Sequence, residues 1–147
     1  HPSQIFDELT EDNIAELVIN LKANSAKGFK SLIIYDDVQN SLKNPSILRN
    51  LKLIIANQRH LKVVNLIMVQ NYFALHKSLR ELINNAILFK IGKSQMSKVY
   101  DELVEINLDK FDDVIDLVFD KPFEFLFINI GSQRLYKGFD EIIFDNV

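Results

Sequence analysis

The chain has 147 residues, no cysteine and a formal net charge of −3. The lack of cysteine excludes disulfides and thiolate metal sites. The acidic balance argues against a stand-alone nucleic-acid-binding protein, so contact with DNA requires a local basic patch, a segment outside this chain or a ring of subunits. No apolar run approaches the roughly 20 residues that span a bilayer.

The first half of the chain predicts helices and strands in alternation. Apolar residues at helical spacing follow Thr10, a residue suited to an N-cap, and Asn44-Pro45 is a second helix start. Nearly continuous apolar runs between the helices predict strands. The predicted elements are a helix over 11–22, a strand over 31–35, a helix over 45–57 and a strand over 61–69.

The second half continues the alternation, with Ser94 and Asp109 as predicted N-caps. Its predicted elements are a helix over 77–85, a strand over 86–91, helices after Ser94 and Asp109, and strands over 123–128 and 134–139. The alternation predicts an α/β fold of three layers, a mainly parallel sheet flanked by helices. No repeat or linker interrupts the chain, so we expect one domain.

Two carboxylates, Asp36 and Asp37, directly follow the apolar run Leu32–Tyr35. The run has the length of a strand buried on both faces, as in a parallel sheet. Because buried carboxylates are costly, we expect the pair at the carboxyl end of the strand, where ligands bind in open α/β sheets. Nucleotide hydrolases place a Mg²⁺-binding acid and a water-activating acid there. The alternative is a turn with two solvated acids.

Three further polar residues are candidates for a role near such a site. Gln70 follows the next predicted strand, where its amide could hold the attacking water or sense a γ-phosphate; otherwise it caps the next turn. Arg59 lies between the two strands and could reach the γ-phosphate of a neighbouring subunit, or it is a surface arginine. Arg80, on a predicted helix face, is a weaker candidate for the same task.

Other motifs are excluded by spacing. Gly92-Lys93-Ser94 is not a phosphate-binding loop, because Ile87 stands where the motif requires its first glycine. His1, His60 and His76 have no ligand-type partner at metal-binding spacing. The chain has neither a G-x-S-x-G motif nor a cysteine nucleophile, so the usual acyl-transfer enzymes are excluded.

Four segments together resemble the FtsK–HerA-type genome-packaging ATPases of large DNA viruses and virophages. The likeness extends over roughly 6–144, and Arg59-His60 and Val69-Gln70-Asn71-Tyr72 are its most distinctive parts. The four segments are Leu32–Val38, Asn57–Lys62, Leu66–Tyr72 and Lys77–Arg80.

The resemblance implies a role for each candidate residue. Asp36 would bind the Mg²⁺ of MgATP as a Walker B acid, and Asp37 would be the catalytic base, where P-loop motors more usually have Glu. Gln70 would be the sensor and Arg59 the arginine finger that acts in trans. The family hydrolyses ATP to move double-stranded DNA into a capsid, usually as a ring. The implied partners are double-stranded DNA, capsid components and further copies, in the virion or the host cytoplasm (the viral factory).

One departure from the family is large. No G-x-x-x-x-G-K-[ST] motif, the Walker A loop, occurs in the residues before Ser31. We therefore expect residues 1–147 to be the C-terminal part of a single P-loop ATPase domain, truncated at its N-terminus. Without the backbone amides and lysine that hold phosphates, this part alone should neither bind ATP tightly nor hydrolyse it.

Two other functions remain open on sequence alone. The chain could be a non-catalytic interaction module that binds capsid or nuclease partners through its Phe-rich C-terminal part. Exposure would favour such a docking surface and burial would favour a core, and the residues that test this are Phe123, Phe125, Phe127, Phe139 and Phe144. A helicase is a third possibility, although no helicase-type motif is visible. A truncated sheet would also leave an uncovered edge, which predicts self-association.

Overall fold

The computed structural model describes residues 5–105 and 111–144. The chain divides into two compact units, His1–Leu82 and Ile83–Val147. That division does not decide whether the whole is part of one domain, which stays a prediction. The predicted N-cap Asp109 and the N-terminal His1 lie outside the described residues.

The described part of the first unit contains two strands, four α-helices and two 3-10 helices, Ser41–Lys43 and Tyr72–Ala74. Local capping explains where its two long helices begin. The Thr10 hydroxyl accepts a hydrogen bond from the Asn13 amide at 3.2 Å, and the Asn44 side chain accepts one from the Ser46 amide at 2.9 Å. Both predicted caps are confirmed. The elements are α1 (Glu11–Ala26), β1 (Ser31–Asp36), α2 (Pro45–Ala56), α3 (Gln58–Leu61), β2 (Val63–Met68) and α4 (Lys77–Arg80).

Strands β1 and β2 form a two-stranded parallel sheet in which Ser31 lies opposite Val63 and Asp36 opposite Met68. Its core lies on one side only. Tyr35 and Val63 are buried there, whereas alternate residues on the opposite face remain exposed. The prediction that the first strand is buried on both faces is therefore wrong. The residues that form the buried core of this unit's helices and loops are Ile14, Leu21, Leu42, Ile47, Leu51, Ile54, Ile55, Leu75 and Leu79.

The second unit is built on a four-stranded antiparallel sheet, in the order β3-β4-β5-β6. Leu126, Ile128 and Leu135 are buried on one face of this sheet. The elements are β3 (Asn85–Phe89), α5 (Lys93–Leu103), α6 (Phe111–Val118), β4 (Phe125–Asn129), β5 (Arg134–Lys137) and β6 (Asp140–Glu141).

The predicted three-layer, mainly parallel sheet is wrong, since among the described strands only β1 and β2 pair in parallel. Chain connectivity gives the physical reason. Only Ile130–Gln133 separates β4 from β5. Parallel strands require a crossover of a dozen or more residues, so a link this short imposes antiparallel pairing.

Helix α5 begins two residues earlier than predicted. Gly92 occupies the N-cap position without a side-chain hydrogen bond, and Lys93 is the first helical residue. The predicted N-cap Ser94 is therefore wrong. Gly92-Lys93-Ser94 is therefore the start of a helix. The Lys93 ammonium lies 2.8 Å from a carboxylate oxygen of Asp112.

Across residues 5–105 and 111–144, no helix combines the length and apolar character that crossing a membrane would require.

Candidate functional site

Asp36 and Asp37 stand where β1 leaves its sheet. Asp36 is the last strand residue, and the Asp37 amide donates a hydrogen bond to the Met68 carbonyl at 3.3 Å. Asp37 then adopts a left-handed backbone conformation (φ 49°), which Asp tolerates better than most residues. Its carboxylate accepts a hydrogen bond from the Gln39 amide at 2.9 Å. Both acids are exposed, so both are accessible to a ligand.

Gln70 lies at the same edge of the sheet as the two acids. Because β1 and β2 run in parallel and Asp36 is opposite Met68, their carboxyl ends meet at one edge. Gln70 comes two residues after Met68 and is exposed. The parallel pairing therefore places two carboxylates and a side-chain amide at one sheet edge, as a site at the carboxyl ends of strands requires. Their chemical roles stay predictions.

Arg59 lies at the opposite edge of this sheet. It belongs to α3, which ends just before β2 begins, and its side chain is exposed. Six-residue strands span roughly 17–20 Å, so Arg59 and Asp37 are separated by about that distance. Within one copy of the chain, Arg59 is not part of the site formed by the acids and Gln70.

A partly buried hydrogen bond joins the two strands on the face of the sheet opposite Leu32 and Ile34. The Tyr35 hydroxyl, in a side chain only 3% exposed, donates to Asn65 Oδ1 at 3.2 Å. Burial raises the pKa of Tyr35, which favours the neutral phenol that can donate this bond. Tyr35 directly precedes Asp36, so this bond fixes β1 beside β2 next to the acids. No sequence pattern indicates this pair, because only strand register brings the two side chains together.

The Arg80 side chain makes its contacts with nearby residues of the first unit. Its guanidinium donates to the Leu75 carbonyl at 2.8 Å and lies 5.3 Å from the ring centroids of both Tyr72 and Phe73. Such cation–π contacts stabilise a fixed position of the side chain. These contacts give Arg80 a structural role in the turn between β2 and α4.

The donor atoms at the acidic edge suit a hard cation. Mg²⁺ is usually bound by one or two carboxylates together with waters and substrate phosphates. Asp36 and Asp37 offer carboxylate oxygens of that kind, and Gln70 adds an amide. No group of three or more His, Cys, Asp or Glu able to hold a metal occurs among the described residues. A metal at this edge would therefore need waters or the oxygens of a bound ligand to complete its coordination.

Comparisons with protein-family models, with curated proteins and with solved structures find no match to this chain.

Proposed function

We propose that this chain carries the water-activating part of an ATP-hydrolysing motor that moves double-stranded DNA into a viral capsid. The parallel pairing of β1 with β2 is the observation that carries the proposal, since it places Asp36, Asp37 and Gln70 at one sheet edge. The resemblance to FtsK–HerA-type packaging ATPases supplies the reaction and the DNA substrate. A phosphate-binding loop has to come from a segment outside these 147 residues.

In this proposal each residue has one task. Asp36 would hold Mg²⁺, which when bound would neutralise phosphate charge. Asp37 accepts the proton of a water that Gln70 orients, the water oxygen bonds to the γ-phosphorus, and the bond to the ADP oxygen breaks. Arg59 acts on the ATP of a neighbouring subunit, where its charge stabilises the transition state. Its position at the edge opposite Asp37 supports action between subunits, which in turn requires an oligomer.

The first test is the upstream coding sequence. The motor proposal expects a G-x-x-x-x-G-K-[ST] motif after a strand in the reading frame that precedes this chain. The longer product should then release phosphate from ATP, and Asp37→Asn should lower kcat about 10²-fold or more. Glu16→Gln, an exposed carboxylate on α1, is the matched control and should leave kcat unchanged. An upstream frame without the motif refutes the proposal.

Mixing variants tests the arginine finger. Arg59→Ala in the longer product should lower kcat about 10³-fold, as loss of such a finger typically does. A mixture of Arg59→Ala and Asp37→Asn subunits should recover activity, because some interfaces then pair an intact base with an intact arginine. A mixture no more active than its components contradicts action in trans.

The 147-residue chain alone should show no ATP turnover. Neither Asp37 nor Arg59 can compensate for missing phosphate-binding amides. Turnover that disappears in Asp37→Asn would contradict this expectation, and the control is the same assay on Glu16→Gln.

The exposure of the Phe-rich C-terminal part favours a second candidate function, a non-catalytic interaction module. None of its five test residues is buried: Phe123 is 96% exposed, Phe139 is 77% exposed, and Phe125, Phe127 and Phe144 are half-buried. The five residues Phe89, Phe125, Phe127, Tyr136 and Phe139 are linked by ring contacts of 5.2–6.1 Å between centroids, and we call them the aromatic face.

The size of this surface suits a protein partner. Within the aromatic face, Phe89 and Phe139 together expose roughly 270 Å² at about 200 Å² for each aromatic side chain, and the half-buried Phe125, Phe127 and Tyr136 add to this area. Functional patches on single proteins typically reach 300–600 Å². Interferometry against the capsid and nuclease proteins of the same genome should show binding that Phe139→Ser lowers at least tenfold. Ile19→Ser, an equally exposed apolar residue on α1, should not change it.

A further inference from the structure

The outer face of the β1–β2 sheet is apolar and exposed. Strand register places Leu32 beside Val64 and Ile34 beside Leu66, and Met68 continues the row opposite Asp36. These five side chains, which we call the apolar sheet face, are 61%, 62%, 55%, 42% and 43% exposed in that order. Parallel sheets are almost always covered on both faces, so this face is suited to a partner.

The sheet also carries opposite charges at its two edges. Lys30 and Lys62 directly precede β1 and β2, and Asp36 and Asp37 close β1 at the other end. All four side chains are exposed. A partner with the same charges in reversed order would therefore be complementary to this surface.

We propose that a second copy of the chain covers the apolar sheet face in a two-fold symmetric dimer. A two-fold axis across the strands brings the two faces together and reverses the strand direction of one copy. Asp36 of each copy then lies over the edge formed by Lys30 and Lys62 of the other. Such an isologous contact is the commonest symmetry of soluble dimers.

The exposed area fits a small dimer interface. The five aliphatic side chains, each about half exposed, present on the order of 400 Å² of apolar surface, within the range of functional patches. A standard interface buries about 800 Å² per partner, somewhat more than half of it apolar. The apolar sheet face therefore supplies most of the apolar core, and the charged edges supply part of the polar rim.

This inference does not rest on the proposed ATPase activity. The dimer is a property of the 147-residue chain and involves no nucleotide, so each proposal can fail without the other. It does predict that Asp36 becomes less accessible in the dimer, because Asp36 lies on the contacting face.

Sedimentation equilibrium of the 147-residue chain between 2 and about 200 µM tests the proposal in the micromolar range of moderate interfaces. We expect a monomer–dimer equilibrium that Leu66→Glu weakens at least tenfold. Leu53→Glu on α2 and Phe139→Glu on the aromatic face are matched controls, exposed to 53% and 77%, and should change the dissociation constant less than threefold. Circular dichroism confirms that each variant folds.

Charge reversal tests the orientation. Asp36→Lys and Lys30→Glu should each weaken the dimer, and the double variant should restore it because the opposite charges meet again. A chain that stays monomeric at the highest concentration overturns the proposal, and so does a dimer that Phe139→Glu breaks and Leu66→Glu does not. Failure of the double variant to restore association overturns the antiparallel arrangement.

Discussion

Replacing Tyr35 with Phe removes a single hydroxyl from the buried side of the β1–β2 sheet. That hydroxyl donates to Asn65 Oδ1 at 3.2 Å, and the Tyr35 side chain is 3% exposed. The ring itself remains, so the substitution tests the hydrogen bond and not the packing. Since the bond joins the two strands beside Asp36, its loss should loosen the edge that carries the candidate site.

The expected loss in free energy of unfolding depends on whether the acceptor, Asn65, is left without a donor. A net hydrogen bond contributes about 1 kcal/mol, and a buried acceptor left without its donor costs more, so Tyr35→Phe should lower the free energy of unfolding by about 1–2 kcal/mol. Asn65 Nδ2 is already buried without a partner among the described residues. Changing both residues, as Tyr35→Phe with Asn65→Leu, should therefore cost less than the sum of the single changes.

Hydrogen exchange at the amides of β1 and β2 is the suitable assay, because it reports local opening of this sheet without requiring the whole chain to unfold. Alkaline pH gives a second readout. Burial raises the pKa of Tyr35 above its ordinary value of 10.0, so the folded state favours the neutral phenol. The contribution of the neutral Tyr35 phenol to the free energy of unfolding is fully present below pH 10 and is lost as the pH rises above it. In Tyr35→Phe this part of the alkaline loss of stability should disappear.

Two results would refute this reasoning. Additive costs for the single and double variants would mean that the Tyr35–Asn65 bond contributes no coupling. An unchanged exchange rate in Tyr35→Phe would mean that the bond does not stabilise the pairing of β1 with β2. Leu53→Ala, on the exposed side of α2, is the control for a change that removes no buried contact.

Two further predictions concern the second unit. Tyr100 is fully buried and its hydroxyl has no hydrogen-bond partner among the described residues, so Tyr100→Phe should raise the free energy of unfolding by about 1 kcal/mol in urea titrations. The Lys137 ammonium, which donates a hydrogen bond to Asp120, holds the pKa of Asp120 below its ordinary 3.8. A lowered folded-state pKa stabilises the fold above pH 3.8, and this stabilisation is lost as the pH falls below it. Titration followed by NMR should show that pKa rising in Lys137→Met.

Each of these two predictions can be contradicted by one result. A loss of stability in Tyr100→Phe would mean that the hydroxyl is hydrogen-bonded in the folded chain. An Asp120 pKa that does not change in Lys137→Met would mean that the ion pair is absent in solution, and Lys98→Met, at an exposed lysine of α5, is the control.

Part of the candidate site follows from sequence and part from strand pairing. The placement of Asp36 and Asp37 at the end of a strand was predicted, since an apolar run followed by acids indicates where the strand ends. Gln70 reaches the same edge only because β2 pairs in parallel with β1, a contact between residues about 30 positions apart. The Tyr35–Asn65 bond depends on the same register and left no local signal.

The prediction of a mainly parallel sheet failed for a related reason. Alternating helices and strands indicate an α/β chain, but they do not say which strands become neighbours. The strands β4, β5 and β6 are joined by short links and pair in antiparallel order. Only residues 129–133 separate the predicted strands over 123–128 and 134–139, and this short link was the signal that could have corrected the prediction.

The sequence by itself determined where α1 and α2 begin, because the caps Thr10 and Asn44 act on amides within three residues of themselves. It also determined the apolar content of β1, the acids that end it and the absence of a Walker A motif. Only the tertiary structure decided the direction of pairing, the exposure of the apolar sheet face and the aromatic face, and the separation of Arg59 from Asp37. Those properties depend on which distant residues meet, and the free energy of burying a face is set by what covers it and not by its own sequence.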